Sequence, residues 1–260
     1  IKFPNYLWGH RQEIIPTYVA LQKDLSQYGC KTIIQLVHSG SRMSSHDSRL
    51  PLWAPSDVRS AISPEIPHVM TAEEIGDVLD GYEKSFQNAA EGGVDGIEIH
   101  AAHEYLLGQF LSPLNNLRND EYGGSLDNRM RLLNEVVMLA RKTVGDDMVV
   151  GIRINGSDLV DASLDNDDYI EIAQNIEALA SVDYLSISAG TSRDNHMIVP
   201  PMDTPEGLYV DYAANIRKAV TLPVMAVGRL KNPELAEEVI ATGKADVVAQ
   251  ARALIADPFW

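Results

Sequence analysis

Gly92-Gly93-Val94-Asp95-Gly96-Ile97-Glu98-Ile99-His100-Ala101-Ala102-His103-Glu104-Tyr105 is the stretch on which the fold turns. Its two leading glycines close a helix that opens at Thr71-Ala72-Glu73-Glu74. That opening is a capping box, in which the Thr and Glu side chains satisfy backbone N–H groups the helix leaves unpaired. Ile75, Val78, Leu79, Tyr82 and Phe86 then fall on one helical stripe. The apolar run at 96–100 is too short for a helix and reads as a strand. Just past that strand stand two histidines and a tyrosine.

The rest of the chain repeats the unit. Short apolar runs, rich in β-branched residues, recur at 31–37, 148–154, 184–188, 224–227 and 247–251. Their nearly continuous apolar character predicts strands buried on both faces. Between them, Leu132, Val136, Val137, Leu139 and Ala140 form a helical stripe stopped at Gly145. Ile172, Ala173, Ile176, Leu179 and Ala180 form another. Asn232-Pro233 places a cap and a first-turn proline ahead of Leu235, Val239 and Ile240, and Gly243 ends that segment. Alternating strands and helices predict an α/β fold with a parallel sheet. No Gly-x-Gly-x-x-Gly opens a helix, which counts against an open dinucleotide-binding sheet. Units of roughly 30–40 residues suit a (β/α)8 TIM barrel. Residues 1–260 read as one such domain, with no linker or low-complexity tract.

Six strands are counted where a barrel needs eight. The expectation is therefore a barrel incomplete at its N-terminal side and cut after strand eight, with about 60–70 residues carrying two strands ahead of Ile1. Such a sheet cannot close, and by itself it is expected to hold a cofactor poorly.

Acidic residues outnumber basic ones by 37 to 21, for a formal charge of −16. That field disfavours nucleic acid and anionic membrane surfaces. The lone Cys30 excludes an internal disulfide and a Cys-based zinc or iron–sulfur site within this chain. Nothing approaches about 18 consecutive apolar residues. Ile1-Lys2-Phe3-Pro4-Asn5 lacks the apolar core of a signal peptide and a starting methionine. The expected location is cytoplasmic, and a homo-oligomer stays open.

In barrels the working face is the carboxyl end of the strands. The residues there are Gln35 and His38; His100, His103 and Tyr105; Arg153 and Asn155; Ser188 and Gly190; Gly228 and Arg229; and Arg252. His100 and His103, three residues apart, can donate to a single oxygen and stabilise charge developing on it. Tyr105 offers a phenol as proton donor. A metal-dependent lyase or hydrolase using His100 and His103 is the alternative, although Leu107 stands where a zinc-protease motif needs its second histidine. The plainer reading leaves both histidines satisfying buried carbonyls. Arg153, inside an apolar strand, needs an anion, an electron-rich ligand or an internal salt bridge. Gly228, Arg229 and Arg252 follow the last two strands, where barrels hold phosphates, or else they pair with the acidic excess. The loop at 118–125, with Gly123-Gly124, reads as structural.

These residues resemble the old yellow enzyme family of FMN-dependent oxidoreductases over essentially the whole chain. The stretch from Gly96 to Pro113 carries most of the likeness. Arg118 to Ser125 with Asp127-Asn128-Arg129, Gln35-Leu36-Val37-His38-Ser39-Gly40, Val227-Gly228-Arg229 and Ala251-Arg252-Ala253-Leu254 continue it in order. The resemblance implies FMN at the barrel mouth. Gln35 would meet the flavin's pyrimidine edge, and Arg153 its N1–C2 carbonyl side. Gly228, Arg229, the Ala251 amide and Arg252 would grip the phosphate. His100 and His103 would bind the carbonyl oxygen of a small unsaturated substrate, and Tyr105 would protonate its carbon after hydride transfer. NADH or NADPH would be the reductant.

Three departures stand out. Ala251 replaces a common glycine; Ser41-Arg42 follows Gly40 where an arginine often stands directly, leaving Arg42 without a role; and Glu104 replaces a small residue, adding charge near the pocket rim. The Ala251-Arg252 variant and Asp257-Pro258-Phe259 resemble the branch of 2-enoate and 2,4-dienoyl-CoA reductases and trimethylamine dehydrogenase. That branch implies an iron–sulfur cluster and FAD in a full-length parent, outside this chain. It also makes amine oxidation an alternative to alkene reduction.

Overall fold

The computed structural model describes residues 7–260; the segment Ile1-Lys2-Phe3-Pro4-Asn5 lies outside them. The strands are β1 (Ile33–Leu36), β2 (Trp53–Ala54), β3 (His68–Val69), β4 (Gly96–His100), β5 (Val149–Asn155), β6 (Tyr184–Ser188), β7 (Val224–Ala226) and β8 (Val247–Val248). The helices are α1 (Ile15–Ser26), α2 (Ser45–Ser48), α3 (Ala72–Glu91), α4 (Leu106–Leu111), α5 (Leu126–Val144), α6 (Asn166–Ala178), α7 (Asn195–Ile198), α8 (Val210–Ala219), α9 (Pro233–Ala241) and α10 (Arg252–Ala256). β1, β4, β5, β6, β7 and β8 form one parallel sheet in that order, while β2 and β3 pair separately. Six strands of a (β/α)8 barrel thus stand in sequence order, and among the described residues the sheet does not close.

The register explains how the sheet sorts its side chains. Gln35 stands opposite Glu98, Glu98 opposite Gly151, and Gly151 opposite Tyr184. One layer higher, His100, Arg153, Ser186, Met225 and Val247 follow across the strands. Alternate residues of a strand face opposite sides, so these layers share one face. Ile97, Ile99, Val150, Ile152, Ile154, Leu185 and Ile187 face the other way, buried in one core with Phe86, Val136, Ile172 and Ile216 of the helices. β4, β5 and β6 are buried on both faces, as read; what departs from the reading is the continuous apolar character, since the inner face is polar. β1 and β8 are also largely exposed, because each has an edge without a neighbour among the described residues.

The Thr71 capping box forms as read: the Thr71 hydroxyl accepts from Glu74 N at 3.2 Å, and Glu74 Oε2 accepts from Thr71 N at 2.7 Å. Asn232 caps α9 through Oδ1, at 2.8 Å from Glu234 N. No helix among the described residues is long and apolar enough to cross a membrane.

Candidate active site

His100 ends β4, and the chain turns sharply just beyond it. His103 and Glu104 both sit at φ 59°, in the left-handed region that side chains other than glycine rarely adopt. Tyr105 N donates to the Ala102 carbonyl at 3.2 Å and closes the turn. The turn folds three rings together: His100 lies 5.1 Å from His103 and 4.8 Å from Tyr105, both edge to face. The cluster expected from sequence proximity is therefore one structure.

The two imidazoles are not equivalent. His100 Nδ1 accepts the Ala102 N–H at 3.2 Å, so the neutral ring carries its proton on Nε2 and can donate it. His103 Nε2 lies 2.8 Å from the Ser188 hydroxyl and is engaged there. Burial, reinforced by the cations Arg153 and Arg42, pushes the His100 pKa down to about 3. Burial, with His100 and both arginines beside it, holds His103 well below its ordinary value. Both rings are uncharged at neutral pH.

Arg42, without a role in the sequence reading, closes the cluster from the other side. Its guanidinium lies over the Tyr105 ring, 4.8 Å from the centroid, and donates to the His103 carbonyl and to Asn195 Oδ1. The signal that marked it was a displaced arginine, one position later than the pattern. Glu104 is also corrected: it does not sit at the rim. It is buried, and its Oε2 accepts the Ser192 N–H at 2.7 Å, fastening the segment after β6 to the turn after β4.

Arg153 donates to the Ser186 hydroxyl at 3.2 Å and forms no ion pair among the described residues, so the internal salt bridge weighed for it is not what the structure holds. Burial pushes its pKa down, while Glu98 and Tyr184 counter that. Below it, Glu98 is held from both sides, by Gln35 Nε2 at 2.5 Å and by the Tyr184 hydroxyl at 2.7 Å. Tyr184 reaches Glu98 by crossing Gly151, where an added Cβ would fall 2.1 Å from its ring.

Gly228 takes φ 118° and Arg229 φ 54° at the carboxyl end of β7. Arg229 donates to Thr204 Oγ1 at 3.2 Å, and Arg252, opening α10 beside Ala251, donates to the Pro200 carbonyl at 2.9 Å. Both arginines thus lie against the 200–204 segment, and neither meets a carboxylate there. The loop at 118–125 is held by its own contacts: Arg118 pairs with Asp120 and donates to the Met70 carbonyl at 2.7 Å. Among the described residues no three His, Cys, Asp or Glu side chains converge as metal ligands.

The sequence profile of the "NADH:flavin oxidoreductase / NADH oxidase family" matches residues 2–260. The N,N-dimethylglycine/sarcosine dehydrogenase of Chromohalobacter salexigens is 36% identical over 250 residues, which are 94% of this chain and 36% of that protein. A 2-naphthoyl-CoA reductase solved with 2-naphthoyl-CoA matches with a TM-score of 0.88 at 29% identity, covering 96% of this chain and 40% of that one. The old yellow enzyme homologue from Zymomonas mobilis matches at 0.78 with 25% identity, covering 94% and 69%. The chain spans little more than a third of the length of the dehydrogenase it matches.

Proposed function

The chain belongs to the NADH:flavin oxidoreductase / NADH oxidase family, the old yellow enzyme group, and from that membership we propose that it reduces a carbon–carbon double bond conjugated to a carbonyl, with FMN between NADH or NADPH and the alkene. One observation carries the reading: a phenol and two neutral imidazoles packed ring to ring, with two guanidinium groups beside them.

The inner face suits a flavin. Among the described residues Arg153 hydrogen-bonds only to the neutral Ser186 hydroxyl, with Glu98 below it, which fits a cation kept for an electron-rich ring. Gln35 offers an amide from the neighbouring layer. Gly228, Arg229, Arg252 and the Ala251 amide would hold the phosphate, since among the described residues neither arginine pairs with a carboxylate. When bound, FMN supplies the two-electron carriage that no side chain can.

The chain's own residues do the rest. His100 Nε2–H donates to the substrate carbonyl oxygen, and His103 presents the second contact from its ring on Ser188. Being neutral, both rings polarise the carbonyl without giving up a full proton. The Tyr105 hydroxyl would deliver its proton to the substrate α-carbon once the β-carbon had been reduced, and water would restore the phenol.

Oxidation of an amine is the second reading, favoured by the likeness to the N,N-dimethylglycine/sarcosine dehydrogenase. Against it, the carboxylates around the cluster are already engaged, Glu104 by Ser192, Glu98 by Gln35 and Tyr184, and Asp158 by Asn155, Ser163 and Tyr169. The arginines repel an ammonium group. A cytoplasmic setting, where the nicotinamide reductant is at hand, and an iron–sulfur cluster and FAD in a longer protein belong to the same proposal.

Protein made from its whole reading frame should purify yellow, and anaerobic NADPH or NADH should bleach it. A colourless protein that takes up no FMN would sink the reading.

A further inference from the structure

We propose that Asp158 is a positioning residue for His103, acting through the side-chain amide of Asn155; its catalytic consequence rests on the function proposed above. Asn155 and Ser188 end neighbouring strands and stand opposite each other in register. Both hold His103. Asn155 Oδ1 accepts the His103 backbone N–H at 3.3 Å, and Ser188 Oγ meets the ring at 2.8 Å. The backbone contact matters because His103 occupies the left-handed region at φ 59°, a conformation that persists only where its surroundings over-determine it.

The contact requires the Asn155 amide to face one way round, and Asp158 fixes which together with the Gly190 carbonyl. Asn155 Nδ2 spends its two hydrogens on Asp158 Oδ1 at 2.9 Å and on the Gly190 carbonyl at 3.2 Å. A flipped amide would set its NH2 against the His103 N–H, donor to donor, and its oxygen against two acceptors. A carboxylate accepts only, so together with the Gly190 carbonyl it opposes the flip; a carboxamide at 158 could turn its NH2 toward the flipped oxygen and leave Gly190 as the one acceptor opposing it. Asp158 is itself fixed. It is 2% exposed, and it also accepts from the Tyr169 hydroxyl at 2.8 Å and the Ser163 hydroxyl at 2.5 Å. All of these donors are neutral, so the carboxylate is oriented by hydrogen bonds alone. The path from Asp158 to His103 is therefore two hydrogen bonds long, with each atom assigned.

The test compares Asp158→Asn with Ser163→Ala, which removes a donor from the far oxygen of Asp158 without touching Asn155. In the holoprotein, Asp158→Asn should speed hydrogen exchange at the His103 amide about tenfold. It should also slow reoxidation of the reduced protein by cyclohex-2-enone about tenfold while reduction by NADPH changes less than about threefold, as expected when a group that stabilises developing charge loses its placement. Ser163→Ala should lower the melting temperature and move neither quantity. His103 exchange left unchanged in Asp158→Asn, or accelerated equally by Ser163→Ala, would overturn the proposal. If Asp158→Asn does not fold, Asn155→Ser should give the same faster exchange, and unchanged exchange there overturns the proposal equally. Amide exchange is read whether or not FMN binds, so a failure of the flavin reading is seen separately, as absent flavin absorbance.

Discussion

The Arg42 guanidinium lies 4.8 Å from the centroid of the Tyr105 ring and donates at the same time to the His103 carbonyl. One side chain from the loop after β1 thus braces two members of a cluster built by the turn after β4. The planar fork allows stacking and two directed hydrogen bonds together, and a lysine ammonium cannot reproduce that.

Arg42→Ala should slow oxidation of the reduced protein by cyclohex-2-enone by about a hundredfold, since small displacements of reacting groups cost that much. Arg42→Lys should recover little of it. Single-turnover stopped-flow measurement checks this; full recovery by lysine would reduce Arg42 to a local charge.

The depressed histidines set a pH dependence. Folded His100 titrates at about 3 because it is buried beside Arg153 and Arg42, against about 6.5 in an unfolded chain. Below about 6.5 the unfolded chain gains a proton that the folded site refuses. Stability is therefore complete above that value and falls as the pH drops toward 3. Urea midpoints between pH 6 and 4 should decline, and His100→Gln should lessen the slope by about one proton. The alkene half-reaction should show no titration near pH 6.5, and a clear step there would place a charged imidazole in the site.

Gly151→Ala should destabilise the protein by about 1–3 kcal/mol, the usual cost of forcing atoms into a packed position. The added Cβ would fall 2.1 Å from the Tyr184 ring, which must then leave Glu98. In a Tyr184→Ala background the same change should cost little, so a double-mutant cycle by urea unfolding measures the coupling.

Much of this was legible along the chain because it is local. The strand at Gly96–His100, the cap at Thr71 and the His100, His103 and Tyr105 cluster each lie within one short segment. What joins distant segments left no local trace. Arg42 reaches Tyr105, and Ser188 reaches His103, only once the strands are in register. Helix α4 is buried on all sides, so it shows no amphipathic period to read. β2 and β3 are two residues each, too short for any pattern. Glu104 looked like a rim charge because its partner, the Ser192 amide, lies 88 residues away.

The central claim is that Tyr105 delivers a proton to the substrate carbon after hydride transfer, and one experiment addresses it directly. Wild type and Tyr105→Phe, each reduced anaerobically with NADPH, are mixed with cyclohex-2-enone while the return of flavin absorbance is followed. The account expects reoxidation to slow by about 10²–10⁴-fold in Tyr105→Phe, the usual worth of a positioned acid, with reduction by NADPH changed far less. Equal slowing of both half-reactions, or unimpaired reoxidation, would contradict it.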